Sequence, residues 1–347
     1  MISKTERKII YPLSLLLSTS RKTAESLSKT SNVSGDTLLR ILDKNAISPE
    51  TLATVAVAFF GTDRLHVVID DTIIQKMYSA LIEGSGDNYD PSKHQYYRSL
   101  CTVVAMVSNG WYALPVTHEF WINKDILKNE YKTKVQIAKE LLEHLQMFIC
   151  IDTVIMDGLY ATQEMITWLN EKGIRYEMRF HSNRMVQRHK DDTPIKVRDH
   201  QSLKLSDTKK VKTVRFFWKG ILVYITAVKR INKKGICSIV YQISNAKLSA
   251  QRHLRMYEYR WNIEVFFRTA KQSLGLMECQ SRKLSLQKNH ISNVFFSYII
   301  LQFEKRKKIL KNPESALRSI RRKTYDELIA YLPSLDQIFH TFGAVNA

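Results

Sequence analysis

Three short stretches hold acidic side chains where chemistry could use them. "HVVIDDT" ends a β-branched run with Asp70 and Asp71, and "VIMDGLYAT" ends a second with Asp157. "YEYRWNIEVFFRTAKQSLGL" sets Glu264 among Arg260, Arg268 and Lys271, in a segment otherwise heavy with Trp, Phe and Ile. Open α/β sheets build their sites at the carboxyl ends of buried strands. A hard divalent cation such as Mg²⁺ wants oxygen ligands and takes only a few carboxylates, leaving room for water and phosphate. Two such ions can activate a water or a 3′-hydroxyl and stabilise the leaving oxygen of a phosphoryl displacement. Two strand-end aspartates and a glutamate would supply that oxygen set. Taken singly, an Asp after a strand is also an ordinary cap or turn former, and Asp157-Gly158 fits that reading too.

Placed on one helix at roughly 100° per residue, Tyr257, Arg260, Glu264, Arg268 and Lys271 share a stripe. Ile263, Phe267, Ala270 and Leu274 form an adjacent apolar stripe. Such a helix buries one side against a sheet and lays its charged side along a cleft. Three cations exceed what one glutamate needs for ion pairing, and suit phosphates plus bound metal. The competing reading is an exposed amphipathic helix laced with intrahelical Glu–Arg and Glu–Lys pairs.

The elements that must position these groups follow from pattern. Residues 1–62 read as helical: Ala24 and Leu27 lead to a polar turn, Thr30 to Gly35, and then to a helix with Leu38, Leu39, Ile41 and Leu42. That outline fits a helix-turn-helix DNA reader or a plain helical pair. Ser48, Pro49 and Gly61 mark the cap, first residue and stop of a further helix. "HVVID" then reads as a buried strand and "GSGDNYDPSKH" as a loop. "LCTVVAMVSNGWYALPVTHEF" reads as two strands joined at Asn109-Gly110. A helix over Thr133 to Met147, the strand "DTVIMD" and a helix over Thr162 to Lys172 complete a mixed α/β pattern. From 176 to 245 the texture turns β-rich, around the turns Lys219-Gly220 and Lys234-Gly235, and from 248 onward it is helical.

Composition narrows the partners. Lys and Arg number 53 against 33 Asp and Glu, a net charge of +20. That excess points to a polyanion, nucleic acid first and an anionic membrane surface second. The tail "EKRKKILKNPESALRSIRRK" adds to it. The longest apolar run, Val294 to Phe303, is too short for a bilayer and reads as a core helix. No small-residue cleavage site follows the first apolar run, so no signal peptide is expected. Cys101, Cys150, Cys237 and Cys279 form no CxxC pair and read as buried thiols in a reducing cytoplasm.

With these residues in place, the sequence resembles the DDE transposases of bacterial insertion sequences, specifically the insertion-sequence-4-type group with a Tyr-Arg-Glu-Lys signature. That signature, Y-x2-R-x3-E-x6-K, is matched at every spacing by Tyr257, Arg260, Glu264 and Lys271. "IDDT" and "MDGLYAT" resemble the family's two aspartate segments in the expected order. The resemblance implies a ribonuclease-H-like catalytic domain with a mixed sheet, interrupted by a β-rich insertion, plus an N-terminal helical domain. In this chain that gives 1–62 as probable DNA-binding region, 63–175 as the first catalytic segment and 176–247 as the insertion. Residues 248–290 would be the second catalytic segment with the Glu helix, and 291–347 a basic helical region. It implies Asp70, Asp157 and Glu264 as catalytic metal ligands for Mg²⁺ or Mn²⁺, two ions in all. Tyr257, Arg260 and Lys271 would contact DNA phosphates, and Arg268 joins them from the same stripe. Asp70 is preferred to Asp71 because it shares a strand face with Val68. Trp218 is either a core residue or an aromatic holding an unstacked base. The implied function is cut-and-paste transposition on double-stranded DNA, at terminal inverted repeats and a target, in the bacterial nucleoid. A homodimer at paired DNA ends is implied, with no membrane partner. A catalytically inactive or domesticated DNA-binding derivative and a ribonuclease-H-like nuclease are the alternatives.

Overall fold

The computed structural model describes residues 4–31, 33–44, 47–61, 64–76, 81–90, 93–127, 130–231 and 235–331. Helices α1 (Lys4–Leu17), α2 (Ala24–Ser31), α3 (Gly35–Lys44) and α4 (Pro49–Phe60) come first. Strands β1 (Leu65–Gln75), β2 (Gly86–Asp90), β3 (Gln95–Ser108) and β4 (Ala113–Trp121) follow, then α5 (Lys124–Leu127) and α6 (Lys134–Gln146). β5 (Ile151–Met156), α7 (Gln163–Glu171) and β6 (Arg175–Phe180) precede the short strands β7 (Met185–Val186) and β8 (Ile195–Lys196). Next come β9 (Val211–Trp218), β10 (Ile221–Ile231) and β11 (Cys237–Ser244). Helices α8 (Ala250–Glu258), α9 (Trp261–Ser273), α10 (Leu284–Lys307), α11 (Pro313–Ile320) and α12 (Tyr325–Tyr331) close the described chain. The protein is mixed α/β, and it divides into two compact units.

The first unit comprises Met1–Asp63, Asp71–Ile149 and Asn262–Ala347. The β3–β4 hairpin is its spine, paired from Cys101↔Trp121 to Ser108↔Ala113 with a register shift between Ala105 and Met106. At the turn, the Asn109 side-chain oxygen accepts from the Trp111 and Tyr112 N–H groups while Gly110 takes φ 93°. β3 is buried at every residue from Ser99 to Ser108, so both its faces are covered. α6 packs on the hairpin, held at its start by a reciprocal cap between Thr133 and Gln136. α10 packs on β4 and is buried at every position from His290 to Gln302. A helix apolar around its whole circumference belongs inside a core, and two of the polar residues it buries tie it to other elements. Ser297 Oγ donates to the Pro12 carbonyl, and His290 bridges the Tyr11 hydroxyl and the Gly275 carbonyl at 2.9 Å each. Burial pushes the His290 pKa down to about 4, so the ring is neutral and donates from Nε2 to Gly275. Ser48 caps α4 by accepting from Thr51 N–H, with Pro49 in the first turn and Gly61 at the end, as the sequence indicates.

The second unit comprises Arg64–Asp70 and Cys150–Trp261. Here β1, β5 and β6 run parallel, and β11 joins β6 antiparallel through Tyr241↔Phe180 to Ser244↔Glu177. β10 pairs antiparallel with both β11 and β9. The β-rich stretch is thus hydrogen-bonded onto the parallel strands. Lys219 (φ 50°) and Gly220 (φ 79°) turn β9 into β10 with two positive φ angles, the tight-hairpin geometry. Of the other expected turn, Lys234 lies outside the described residues. α8 packs on β6, β9, β10 and β11.

Two expectations need correction. The stretch expected as a loop contains β2, an edge strand paired to β3 from Gly86↔Ser99 to Asp90↔Gln95. Its polar sequence hides it, because an edge strand is set by main-chain pairing and tolerates charge. The cysteines are free, but only Cys101 and Cys279 are buried, while Cys150 and Cys237 are exposed.

Candidate active site

In the second unit, Ile69 of β1 lies opposite Met156 of β5, so Asp70 and Asp157 follow side by side at the carboxyl ends of paired parallel strands. Met156 in turn lies opposite Met178 of β6, which puts Arg179 next in the same row. The row is two carboxylates and a guanidinium. Asp157 stands at the cap position of a short 3₁₀ turn, Gly158–Tyr160, yet its side chain makes no capping hydrogen bond. Its carboxylate is therefore not used up by the turn. Gly158 leaves room beside it, since a Cβ there would press on His181 Nε2 at 3.0 Å.

Asp70 Oδ2 accepts from Arg260 Nη1 at 2.7 Å, with both side chains less than a fifth exposed. The Arg260 guanidinium also lies 6.0 Å from the centre of the Tyr257 ring. Tyr257 is buried, and burial pushes its phenol pKa up to about 12, with Asp157 and Asp70 adding to that rise. Arg260 and Arg179 act in the opposite sense. Tyr257, Arg179, Arg260, Asp70 and Asp157 thus form one electrostatic neighbourhood, and Tyr257 keeps its proton at neutral pH. Sequence reading missed Arg179. The in-register order of the three parallel strands is the signal that finds it, and no single-segment motif contains it.

The helix expected through Tyr257 and Lys271 is two helices. α8 ends at Glu258, the Tyr259 N–H reaches the Met256 and Tyr257 carbonyls, and the Arg260 N–H bonds to the Tyr257 carbonyl. These tightened bonds close the last turn, and α9 starts afresh at Trp261. A single wheel therefore holds only from Trp261 onward.

In the first unit, α9 keeps Glu264, Arg268 and Lys271 at i, i+4 and i+7. Glu264 is half-buried in the first turn. Arg268 Nε lies 3.9 Å from Glu314 Oε1 of α11, an exposed and loose pair. Lys271 is half-buried, and desolvation holds its pKa below the ordinary lysine value, against the pull of Asp90 and Cys101. The apolar side of α9 buries Ile263, Phe266, Ala270 and Leu274, while Phe267 of the expected stripe is only half-buried. Phe266 meets Phe295 and Tyr298 of α10 edge-on. Asp71, the neighbour of Asp70, is bound to Lys134 Nζ at 2.6 Å and accepts from Cys101 Sγ at 3.7 Å. Successive strand residues point to opposite faces, which separates the two aspartates' partners.

Trp218 is 2% exposed and packs edge-on against Phe180 at 5.5 Å, so it is a core residue here. Among the described residues, no three or more His, Cys, Asp or Glu side chains are grouped so as to hold a metal ion. What the second unit offers a hard cation is the Asp70–Asp157 oxygen pair, with Asp157 uncommitted to its turn.

Strand-end carboxylates flanked by arginine and a buried phenol are the kinds of group that hold hard cations and phosphate. Residues 61–300 match the model of the transposase DDE domain family, and the chain belongs to that family. It is a transposase, a phosphoryl-transfer enzyme of DNA transposition. No curated protein matches the chain. No described helix is long and apolar enough to cross a membrane.

Proposed function

We propose that this chain is the cut-and-paste transposase of a bacterial insertion sequence of the Tyr-Arg-Glu-Lys group. In this reading it has a ribonuclease-H-like core and binds terminal inverted repeats as a dimer on paired ends. The observation that carries the proposal is the register of β1 and β5, which sets Asp70 beside Asp157 in a chain of the DDE family. Water attacks the phosphorus at the element's end, the P–O3′ bond breaks, and the departing oxygen takes a proton to become a 3′-hydroxyl. That hydroxyl then attacks a target phosphodiester, forming a new P–O3′ bond and releasing a target 3′-hydroxyl. No covalent protein intermediate is needed.

Asp70 and Asp157 would hold the divalent cations, Mg²⁺ or Mn²⁺, and the signature spacing would add Glu264 as a third ligand. When bound, two such ions would polarise the attacking oxygen and stabilise the leaving one. Arg260 offsets the charge of the aspartate pair in the DNA-free protein, and exchanges Asp70 Oδ2 for a DNA phosphate when an end is bound. Tyr257, protonated and buried, positions Arg260 through its ring and donates from its hydroxyl. Arg268 and Lys271 contact backbone phosphates, and α2 and α3 serve as the DNA-reading pair.

The test is incubation of the purified protein with Mg²⁺, DNA carrying the ends that flank its gene, and a supercoiled target. Strand-transfer products are expected. Hydrolysis without joined products would move the reading to a nuclease, and neither product would remove it.

A further inference from the structure

The second unit contains a cavity of about 530 Å³ beside α8, at the amino-terminal ends of β1, β5 and β6. It is not the aspartate site. Asp152 lines it, and Asp157 lies at the other end of the same strand, about 17 Å away by the rise of an extended chain.

Its walls differ in kind. On one side α8 begins, capped by Ser249, and presents Arg252 and Arg255, one turn apart. Neither arginine enters an ion pair among the described residues. Arg175, also at the wall, is by contrast tied to Asp152. Arg252 lies in the first turn of α8 and Arg255 in its last; guanidinium groups favour an oxyanion, phosphate above all, and the helix amino terminus at Ser249 does so too. Tyr176 and Glu177 also line it, 0% and 1% exposed. Glu177 Oε2 bonds to His253 Nδ1 at 2.7 Å, but Oε1 and the Tyr176 hydroxyl have no hydrogen-bond partner. A buried polar atom without a partner is uncommon and costly, and a ligand is one way to satisfy it. An occupant that meets both sets of groups carries an anion for the arginines and a hydrogen-bond donor for Glu177, beside which Ser244 also lines the cavity.

We propose that this cavity binds a phosphorylated small molecule of nucleotide size. Its phosphate sits on Arg252, Arg255 and the first turn of α8, and an N–H or O–H of its other end donates to Glu177 Oε1. The volume lies in the range of small-molecule sites, about 300–1,000 Å³. A phosphate of duplex DNA could meet the same arginines at the cavity mouth, but its backbone brings no donor to Glu177.

The full chain is titrated by calorimetry with the four deoxynucleoside monophosphates, ribose 5-phosphate, inorganic phosphate, unphosphorylated deoxyguanosine and a 20-base-pair duplex. At least one phosphorylated organic probe is expected to bind ten-fold or more tightly than inorganic phosphate, and deoxyguanosine not at all. Arg252→Ala with Arg255→Ala should weaken that probe at least ten-fold, whereas Arg230→Ala, on the exposed part of β10, should not. Glu177→Gln should weaken the organic probe and leave inorganic phosphate unchanged; if that variant does not fold, the arginine pair decides. The proposal falls if none of the phosphorylated organic probes binds, or if the double arginine variant binds them as the wild type does. It falls equally if only the duplex is affected by the arginine changes, which would make these residues a DNA-backbone contact.

Discussion

Replacing Arg260 with Ala removes a cation bound to Asp70. The lost bond is a 2.7 Å charge-assisted contact between side chains 19% and 18% exposed, neither fully desolvated nor freely hydrated. A bond to a charged group is worth about 1.5–3 kcal/mol, and breaking a fully buried pair costs more, so about 2 kcal/mol is expected here. The variant also takes one positive charge away from the Asp70–Asp157 pair. Two carboxylates at the strand spacing of about 5 Å repel by on the order of 3 kcal/mol at an effective dielectric constant near 20. Part of that is relieved by side-chain movement and water. Thermal unfolding should register the change as a fall of about 4–8 °C. Added Mg²⁺ should then recover more of the melting temperature in the variant than it adds to the wild type, because the cation replaces the missing positive charge. If Arg260→Ala melts with the wild type and Mg²⁺ moves neither protein, Arg260 does not neutralise the aspartate pair.

Trp218→Ala should cost about 3–5 kcal/mol in denaturant unfolding, as truncation of a buried aromatic does, whereas Trp218→Phe should keep both most of the stability and DNA cleavage. Loss of cleavage in Trp218→Phe without loss of stability would assign the ring to DNA. Burial pushes the Glu177 pKa from 4.5 up to about 7, against the pull of His253, so the folded chain keeps a proton that the unfolded chain releases. The stability of the wild type relative to Glu177→Gln should therefore be greatest near pH 4.5, fall as pH rises to about 7, and level off above that. A relative stability that climbs with pH over this window would mean that Glu177 is ionised in the folded chain.

Much of this site could be read from the chain because strand ends announce themselves. A β-branched run closing on Asp70, and another closing on Asp157, place two carboxylates before any coordinates are known. The hairpin at Asn109-Gly110 and the Ser48–Pro49 helix start were equally legible, since turns and caps depend on local chemistry. What escaped is what long-range pairing decides. β2 has no apolar alternation and exists because β3 offers it a main-chain edge. Arg179 enters the site through the register of a third strand. The helix break at Tyr259–Arg260 has neither Gly nor Pro to mark it, and the periodicity of the flanking residues runs straight through it. The same break turns Arg260 into a partner of Asp70, a role that a helical wheel cannot show.

The central claim is that Asp157, side by side with Asp70, serves phosphoryl transfer and not merely the turn at Gly158. Asp157→Asn keeps the side chain's shape and removes its charge, and the native carboxylate makes no capping bond that the change could break. Metal-dependent nicking of DNA bearing the element's ends, measured beside the melting temperature, decides the matter. The account predicts a loss of at least about 100-fold in nicking, some 2.7 kcal/mol or more of transition-state stabilisation, with a melting temperature at or above that of the wild type. Nicking at the wild-type rate by a folded Asp157→Asn protein would contradict it.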